Sequence, residues 1–301
     1  MKKWIKAARL RTLPLSVSGI ILGSACAYQA VPSHSKFWLI FGLCLLTTLF
    51  FQVLSNYAND YGDAVKGTDN ENRVGPQRAI QSGEIKKEAM KRAIIITAVL
   101  GMISSVAVVY FSFGKENFVE AIIYLVLAVA CIGAAIKYTV GSSAYGYRGL
   151  GDVFVFVFFG LVSTLGSYYL YTHWLDLKVL FPAFAVGFLS TAVLNMNNMR
   201  DIENDAAMNK NTLVVKMGYN KAKTYHFFLI IASIILFNTY AIGSFTKWYQ
   251  FAYVLALIPL FKNIGVVAKT KNPRDLDPEL KRIALTTFFI SLLFSIAIIL
   301  N

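Results

Sequence analysis
Two stretches of this sequence gather acidic residues where they could hold a metal ion. NDYGDAVKGTDN, residues 59–70, carries Asp60, Asp63 and Asp69, and NMNNMRDIENDAAMNKNT, residues 195–212, carries Asp201 and Asp205. Each region also sets an asparagine four positions before an aspartate: Asn56–Asp60 or Asn59–Asp63 in the first, Asn197–Asp201 in the second. Positions i and i+4 share one face of a helix. Asn59 and Asp63 can therefore point the same way, as can Asn197, Asp201 and Asp205. Oxygen donors without histidine or cysteine suit a hard cation, Mg²⁺ or Ca²⁺. Mg²⁺ binds through a few carboxylates and completes its shell with water and substrate phosphates. An EF-hand is excluded, because no loop has the D-x-D-x-D-G spacing with a terminal Glu. The blander alternative is a set of solvated acids at helix ends. Recurrence of the pattern in a chain with only 16 acids argues against it.

Basic residues stand close by. Arg73 and Arg78 bracket VGPQ, Lys137 and Arg148 flank a loop, and Arg200 adjoins Asp201. A metal ion together with guanidinium and ammonium groups can neutralise a diphosphate. Arg78 and Lys137 are the favoured contacts, with Arg73, Arg148 and Asn59 as further candidates; each arginine taken singly also fits a topology determinant. The loop itself, KYTVGSSAYGYRGLGD, has glycines at 141, 146, 149 and 151 and aromatic hydroxyls at Tyr138, Tyr145 and Tyr147. It lacks the Gly-Lys-Ser/Thr ending of a P-loop. A glycine-rich turn with interfacial aromatics is the alternative reading of this stretch.

The elements that must position these residues are membrane spans. The chain is 56% hydrophobic with a mean hydropathy of +0.56 and only 15% charged residues over 301 positions, too apolar for an ordinary soluble domain. A helical span needs roughly 20 apolar residues, and nine such runs stand at about 13–31, 37–58, 93–113, 118–137, 152–171, 179–199, 224–243, 248–268 and 282–300. The expected fold is all-α: one integral-membrane domain over residues 1–301, with nine transmembrane helices around a central cavity. The two Asn/Asp exits lie four spans apart, which suggests four-helix pseudo-repeats over about 13–140 and 152–268 with the helix at 282–300 added.

The formal charge of +13 raises the question of nucleic acid. Charge placement answers it. Numbering the connections alternately, one side holds 25 of the 29 lysines and arginines, and the other holds only Lys36, Lys115, Lys178 and Lys247. This is the positive-inside pattern, with the N-terminus cytoplasmic and, after nine spans, the C-terminus outside. A nucleic-acid patch does not alternate with helix count. The basic N-terminus followed by SACA imitates a signal peptide, but cleavage would remove the first span and invert the charge logic. Cys26, Cys44 and Cys131 lie in apolar runs without metal-ligand spacing and read as packing residues.

NDYGDAVKGTD and DIEND resemble the two aspartate-rich motifs of the UbiA-type intramembrane prenyltransferases. With RVGPQRAIQSG, YTVG…YGYRGLGD and NNMRDIENDAAMNKNTL, the chain most resembles the branch of that family that prenylates 1,4-dihydroxy-2-naphthoate in menaquinone synthesis. The resemblance runs from LRTLPLSVSGIILGS to the loop after the sixth span; the last three spans add only hydropathy. Many family members separate the last two aspartates of the first motif by three residues, whereas five residues separate Asp63 from Asp69, as in the naphthoate branch. The resemblance implies an enzyme of a bacterial inner membrane that opens to the cytoplasmic face. Its substrates are a polyprenyl diphosphate and the naphthoate, and its cofactor is Mg²⁺. Asn59, Asp63 and Asp69 are implied at one ion and Asp201 and Asp205, with Asn197 nearby, at the other, while Tyr138 and Lys137 join the catalytic set. Another aromatic acceptor such as 4-hydroxybenzoate is the runner-up. A transporter is a rival from another class, but transporter sites lie toward the bilayer midplane, and both acidic clusters stand at helix ends. A purely structural membrane protein gives no reason for paired Asn/Asp motifs.

Overall fold
Each apolar run forms a helix in the computed structural model, which describes residues 1–70 and 74–301. Among these residues there is no strand, and nine helical segments are long and apolar enough to cross a membrane. They are Leu13–Ala30, Phe37–Lys66, Lys87–Phe113, Phe118–Lys137, Gly151–Thr172, Leu177–Arg200, Tyr219–Ser244, Trp248–Lys269 and Pro273–Ile299. A short helix, Lys2–Ala8, precedes the first span, and two more, Ile202–Ala207 and Leu213–Met217, follow the sixth.

Boundaries differ from the hydropathy reading where polar residues stay helical. The second span does not stop near residue 58. It runs on to Lys66 and ends at Gly67, whose left-handed backbone (φ 73°) lets its N–H donate to the carbonyl of Asp63. That termination suits glycine and places Asn59 and Asp63 on the helix itself.

The first, sixth and ninth spans form the most buried part of the bundle, while Ala128 is the sole buried residue of the fourth. In lipid the helices gain little from hydrophobic contact with one another, so close approach through small residues matters. A Cβ on Gly19 would sit 1.9 Å from Ser163 Oγ, and one on Gly23 would sit 2.1 Å from the Thr164 carbonyl oxygen, so the first and fifth spans cross nearly backbone to backbone. The fifth span contains a π-helical stretch, Phe156–Val162, a distortion often found beside functional sites.

Polar side chains join the last three spans. His226 Nε2 donates to Asn263 Oδ1 at 2.8 Å, Asn263 Nδ2 donates to Glu279 Oε2 at 2.8 Å, and Arg282 donates to Glu279. Buried polar groups need such partners in an apolar medium. Outward faces stay apolar: Ile95, Ile96, Val99 and Ile103 of the third span are more than half exposed.

Candidate active site
A cavity of about 430 Å³ opens among the first six spans and the ninth. One end is polar and holds both acidic stretches. The remainder is walled by residues such as Leu15, Val108, Leu127, Phe158 and Leu170. Cys44, near the far end, stands 15 residues before Asn59 on the same helix, about 22 Å at 1.5 Å per residue.

At the first exit, Asp63 accepts a hydrogen bond from the Tyr147 hydroxyl at 2.8 Å, and that hydroxyl is 2.6 Å from Thr68 Oγ1. Lys66 Nζ lies 3.7 Å from the centroid of the Tyr147 ring, a cation–π distance. Gly62 permits the tyrosine-bearing loop to dock: a Cβ there would be 2.4 Å from Thr139 Oγ1. Thr139 donates to the Ala58 carbonyl at 3.1 Å and lies 3.3 Å from Asn59 Oδ1. Asp60 pairs elsewhere, with Arg9 at 2.5 Å and Arg78 at 3.5 Å, and Arg78 also lies 3.8 Å from Asp69.

At the second exit, the sixth span ends at Arg200 and a new helix starts at Ile202, with Asp201 between them at φ −98°, ψ 10°. The helix expected to continue through Asp205 is therefore broken. Its hydrogen bonds still step across the break: Asp201 N–H to Asn197 at 3.2 Å and Asp205 N–H to Asp201 at 2.8 Å. Asn197, Asp201 and Asp205 accordingly remain on the same cavity. Arg200, 2% exposed, forks between partners. Its Nε and Nη2 meet the two Asp201 oxygens at 3.0 and 2.6 Å, Nη2 also meets Asn197 Oδ1 at 3.0 Å, and Nη1 meets Asp277 at 2.6 Å. Asp277 belongs to the ninth span, and Leu280, Lys281 and Ala284 of that span also line the cavity. The ninth span thus contributes to the site, beyond the hydropathy legible in its sequence.

Asp205 is 2% exposed, and its Oδ2 has no hydrogen-bond partner. Burial pushes its carboxyl up to about 6; Lys210, 3.5 Å away, opposes that rise, and Asp201 and Asp63 add to it. Burial alone would lower the Lys210 ammonium, but Asp63 and Asp205 outweigh it and hold the group above its ordinary value. Burial, then Asp152 and Asp63, pushes the Tyr138 hydroxyl up, and burial followed by Asp63 does the same to Tyr147.

Of the residues singled out in the sequence, Asn59, Asp63, Asp69, Arg78, Tyr138, Asn197, Asp201 and Asp205 line this one cavity. Lys137 and Arg148 do not: both side chains are exposed and neither lines it. Lys137 ends the fourth span pointing toward Gly141, and Arg148 offers only its carbonyl, to Lys216 at 2.6 Å. Arg73 lies outside the described residues. Arg9 and Lys210 went unnoticed in the sequence and both line the cavity. Arg9 was one of five basic residues before the first span, and Lys210 carried no signal beyond its nearness to Asp205.

A divalent ion suits these donors. Those at the polar end are oxygens, and one buried carboxylate oxygen, Asp205 Oδ2, lacks a protein partner, which an ion or a water would supply. Among the described residues no three acidic, histidine or cysteine side chains close into a ready-made cage. An ion bound there would complete its shell with water and substrate oxygens, as Mg²⁺ commonly does.

Comparison with known proteins fits this geometry. The sequence matches the UbiA prenyltransferase family over residues 17–293. It is 40% identical over 301 residues to a 1,4-dihydroxy-2-naphthoate octaprenyltransferase of Haemophilus influenzae, covering 100% of this chain and 97% of that protein. It is 42% identical over 301 residues to the protein of the same name in Escherichia coli, covering 99% and 95%. In structure it resembles a UbiA homolog from Archaeoglobus fulgidus bound to DMAPP and Mg²⁺, with a TM-score of 0.65 at 16% identity over 99% of each chain. A GPP- and Mg²⁺-bound structure of a homolog from that organism gives a TM-score of 0.61 at 16% identity, over 98% of this chain and 100% of the other.

Proposed function
The chain belongs to the UbiA prenyltransferase family, and we propose on that footing that it transfers a polyprenyl group to 1,4-dihydroxy-2-naphthoate. The donor is a polyprenyl diphosphate, the by-products are diphosphate and CO₂, and the product is demethylmenaquinol. One observation carries this reading: two acid-bearing helix ends and several cations gather at one end of a cavity whose continuation is apolar. A substrate with a diphosphate head and a hydrocarbon tail has the same profile. The acceptor is inferred from the names of the full-length relatives.

Asn59, Asp63, Asn197, Asp201 and Asp205 would hold Mg²⁺, with Asp69 as a further candidate; when bound, the ion neutralises charge on the departing diphosphate. Arg9, Arg78 and Lys210 offer phosphate oxygens charge-assisted hydrogen bonds from the protein. The allylic C–O bond breaks with its electron pair leaving on diphosphate. The Tyr138 ring then shields the allylic cation, and the apolar walls keep water from it. The carboxyl-bearing carbon of the naphthoate forms the new C–C bond. CO₂ departs, leaving its bonding pair on the ring and restoring aromaticity. No protein nucleophile is required.

The protein is an integral membrane protein. The basic asymmetry supports a cytoplasmic N-terminus in a bacterial inner membrane, with the polar end of the cavity on the cytoplasmic side. The function is tested with purified protein, Mg²⁺ and radiolabelled prenyl diphosphate offered to dihydroxynaphthoate and to 4-hydroxybenzoate. Preference for the latter overturns the acceptor, and absence of product with either overturns the enzymatic reading.

A further inference from the structure
A second depression lies outside the cavity, between the N-terminal helix and the start of the third span. Trp4, Tyr57, Lys86, Arg92, Ile96 and Thr97 line it, with Glu88 on its wall. Lys86 and Arg92 are exposed. Among the described residues neither takes part in an ion pair or a side-chain hydrogen bond, while nearby Lys6 is already committed to Glu84 at 2.7 Å. Lys2, Lys3, Lys87 and Lys91 are exposed around it, so Glu88 leaves the neighbourhood strongly positive. From Ile96 the apolar surface continues along one face of the third span through Leu100 and Ile103, 41% and 61% exposed. These positions, four and seven residues on, follow the helical repeat. Cations and an aromatic pair therefore meet the head of a hydrocarbon track.

We propose that this groove is a binding site for an anionic phospholipid, with the phosphate between Lys86 and Arg92 and an acyl chain lying along Ile96, Leu100 and Ile103. Charge complementarity and the collinear track favour a lipid over a soluble partner, which has no use for the track. Unpaired basic side chains at a membrane boundary attract anionic headgroups, and the Trp4–Tyr57 pair, with ring centroids 5.7 Å apart, provides an interfacial anchor. The site has a route to the cavity. Tyr57 donates to the Trp4 carbonyl at 3.3 Å, Asn56 donates to that of Ala8 at 2.8 Å, and Arg9, the next residue, pairs with Asp60. A lipid seated here braces the helix that delivers Arg9.

Trp4 is a natural reporter, because Trp38, Trp174 and Trp248 lie in or beside the connections at the other end of the bundle. The Trp38→Phe/Trp174→Phe/Trp248→Phe variant is reconstituted in bilayers in which either phosphatidylglycerol or phosphatidylcholine carries brominated chains. The difference between wild type and Trp4→Phe gives the same reading should that variant fail to fold. Quenching of Trp4 should report about a fivefold preference for phosphatidylglycerol. Lys86→Ala/Arg92→Ala should abolish the preference, and Lys86→Arg/Arg92→Lys should keep it. Equal quenching by the two lipids, or a preference that survives the alanine pair, overturns the proposal. So does relief of phosphatidylglycerol quenching by farnesyl diphosphate at equal mole fraction, which would make the groove a staging site for the prenyl donor.

Discussion

The side-chain amide of Asn204 donates to the backbone carbonyl of Thr68 at 3.1 Å, joining the short helix Ile202–Ala207 to the end of the second span, 136 residues away in sequence. Thr68 follows the first acidic helix end and Asn204 stands between Asp201 and Asp205. This bond links the two acidic clusters directly, beside the path through Tyr147, whose hydroxyl donates to Asp63 and whose carbonyl accepts from the Asn211 N–H. Asn204→Ala removes one of two hydrogen bonds to the Thr68 carbonyl, which also accepts from the Asn70 N–H at 3.2 Å, at about 0.5–1.5 kcal/mol. We expect folding with a lowered melting temperature and roughly tenfold lower kcat/KM, about 1.4 kcal/mol of transition-state stabilisation. Thermal denaturation and steady-state kinetics check this; unchanged kcat/KM would show that the bond does not register the clusters.

Asp63→Asn and Asp201→Asn should each abolish prenyl transfer while expression and membrane insertion stay near normal. Loss of a charge at the proposed metal site should remove several kcal/mol of transition-state stabilisation, a rate factor of about 10³ or more. Activity within tenfold of wild type in either variant would sink the two-cluster assignment.

Cavity placement separates arginines that are alike in sequence. Arg78 lines the polar end and Arg148 does not. Arg78→Ala should raise the KM for prenyl diphosphate about tenfold or more, the loss of one charge-assisted contact, with little effect on the KM for the naphthoate. Arg148→Ala and Lys137→Ala should remain within about twofold of wild type, as surface substitutions do. A large effect from Lys137→Ala would return that residue to the site.

No three-carboxylate cage is closed among the described residues, so the proposed Mg²⁺ should depend on the diphosphate for ligands. Prenyl diphosphate should tighten Mg²⁺ binding, and Mg²⁺ should tighten prenyl diphosphate binding by the same factor, as linkage requires. EDTA should stop the reaction and Mg²⁺ restore it. Calorimetric titrations with and without the donor measure the factor; a value of one would remove the bridging role.

Topology offers an independent check. A reporter after Asn301 should lie outside the cytoplasm and one inserted near Gly83 inside it. Both on one side would contradict nine crossings.

Much of the fold was legible because the bilayer imposes a length on every apolar run. The acidic ligand candidates were legible too, since four-residue spacing survives both as continuous helix, from Asn59 to Asp63, and across the break at Asp201. The helix ends were less legible. Hydropathy falls where polar residues begin, yet the second span stays helical to Lys66 because Gly67 supplies the left-handed cap.

The sequence by itself thus determined the class of fold, the two acidic clusters and the oxygen-only donors they offer. Only tertiary structure decided which cations join them. A long basic side chain at a membrane boundary can turn inward to a carboxylate or outward to water with little difference in local cost. Packing of distant helices settles that choice: it places Arg9 against Asp60, sets Lys210 beside Asp205, holds Arg200 between Asp201 and Asp277, and leaves Lys137 and Arg148 facing out.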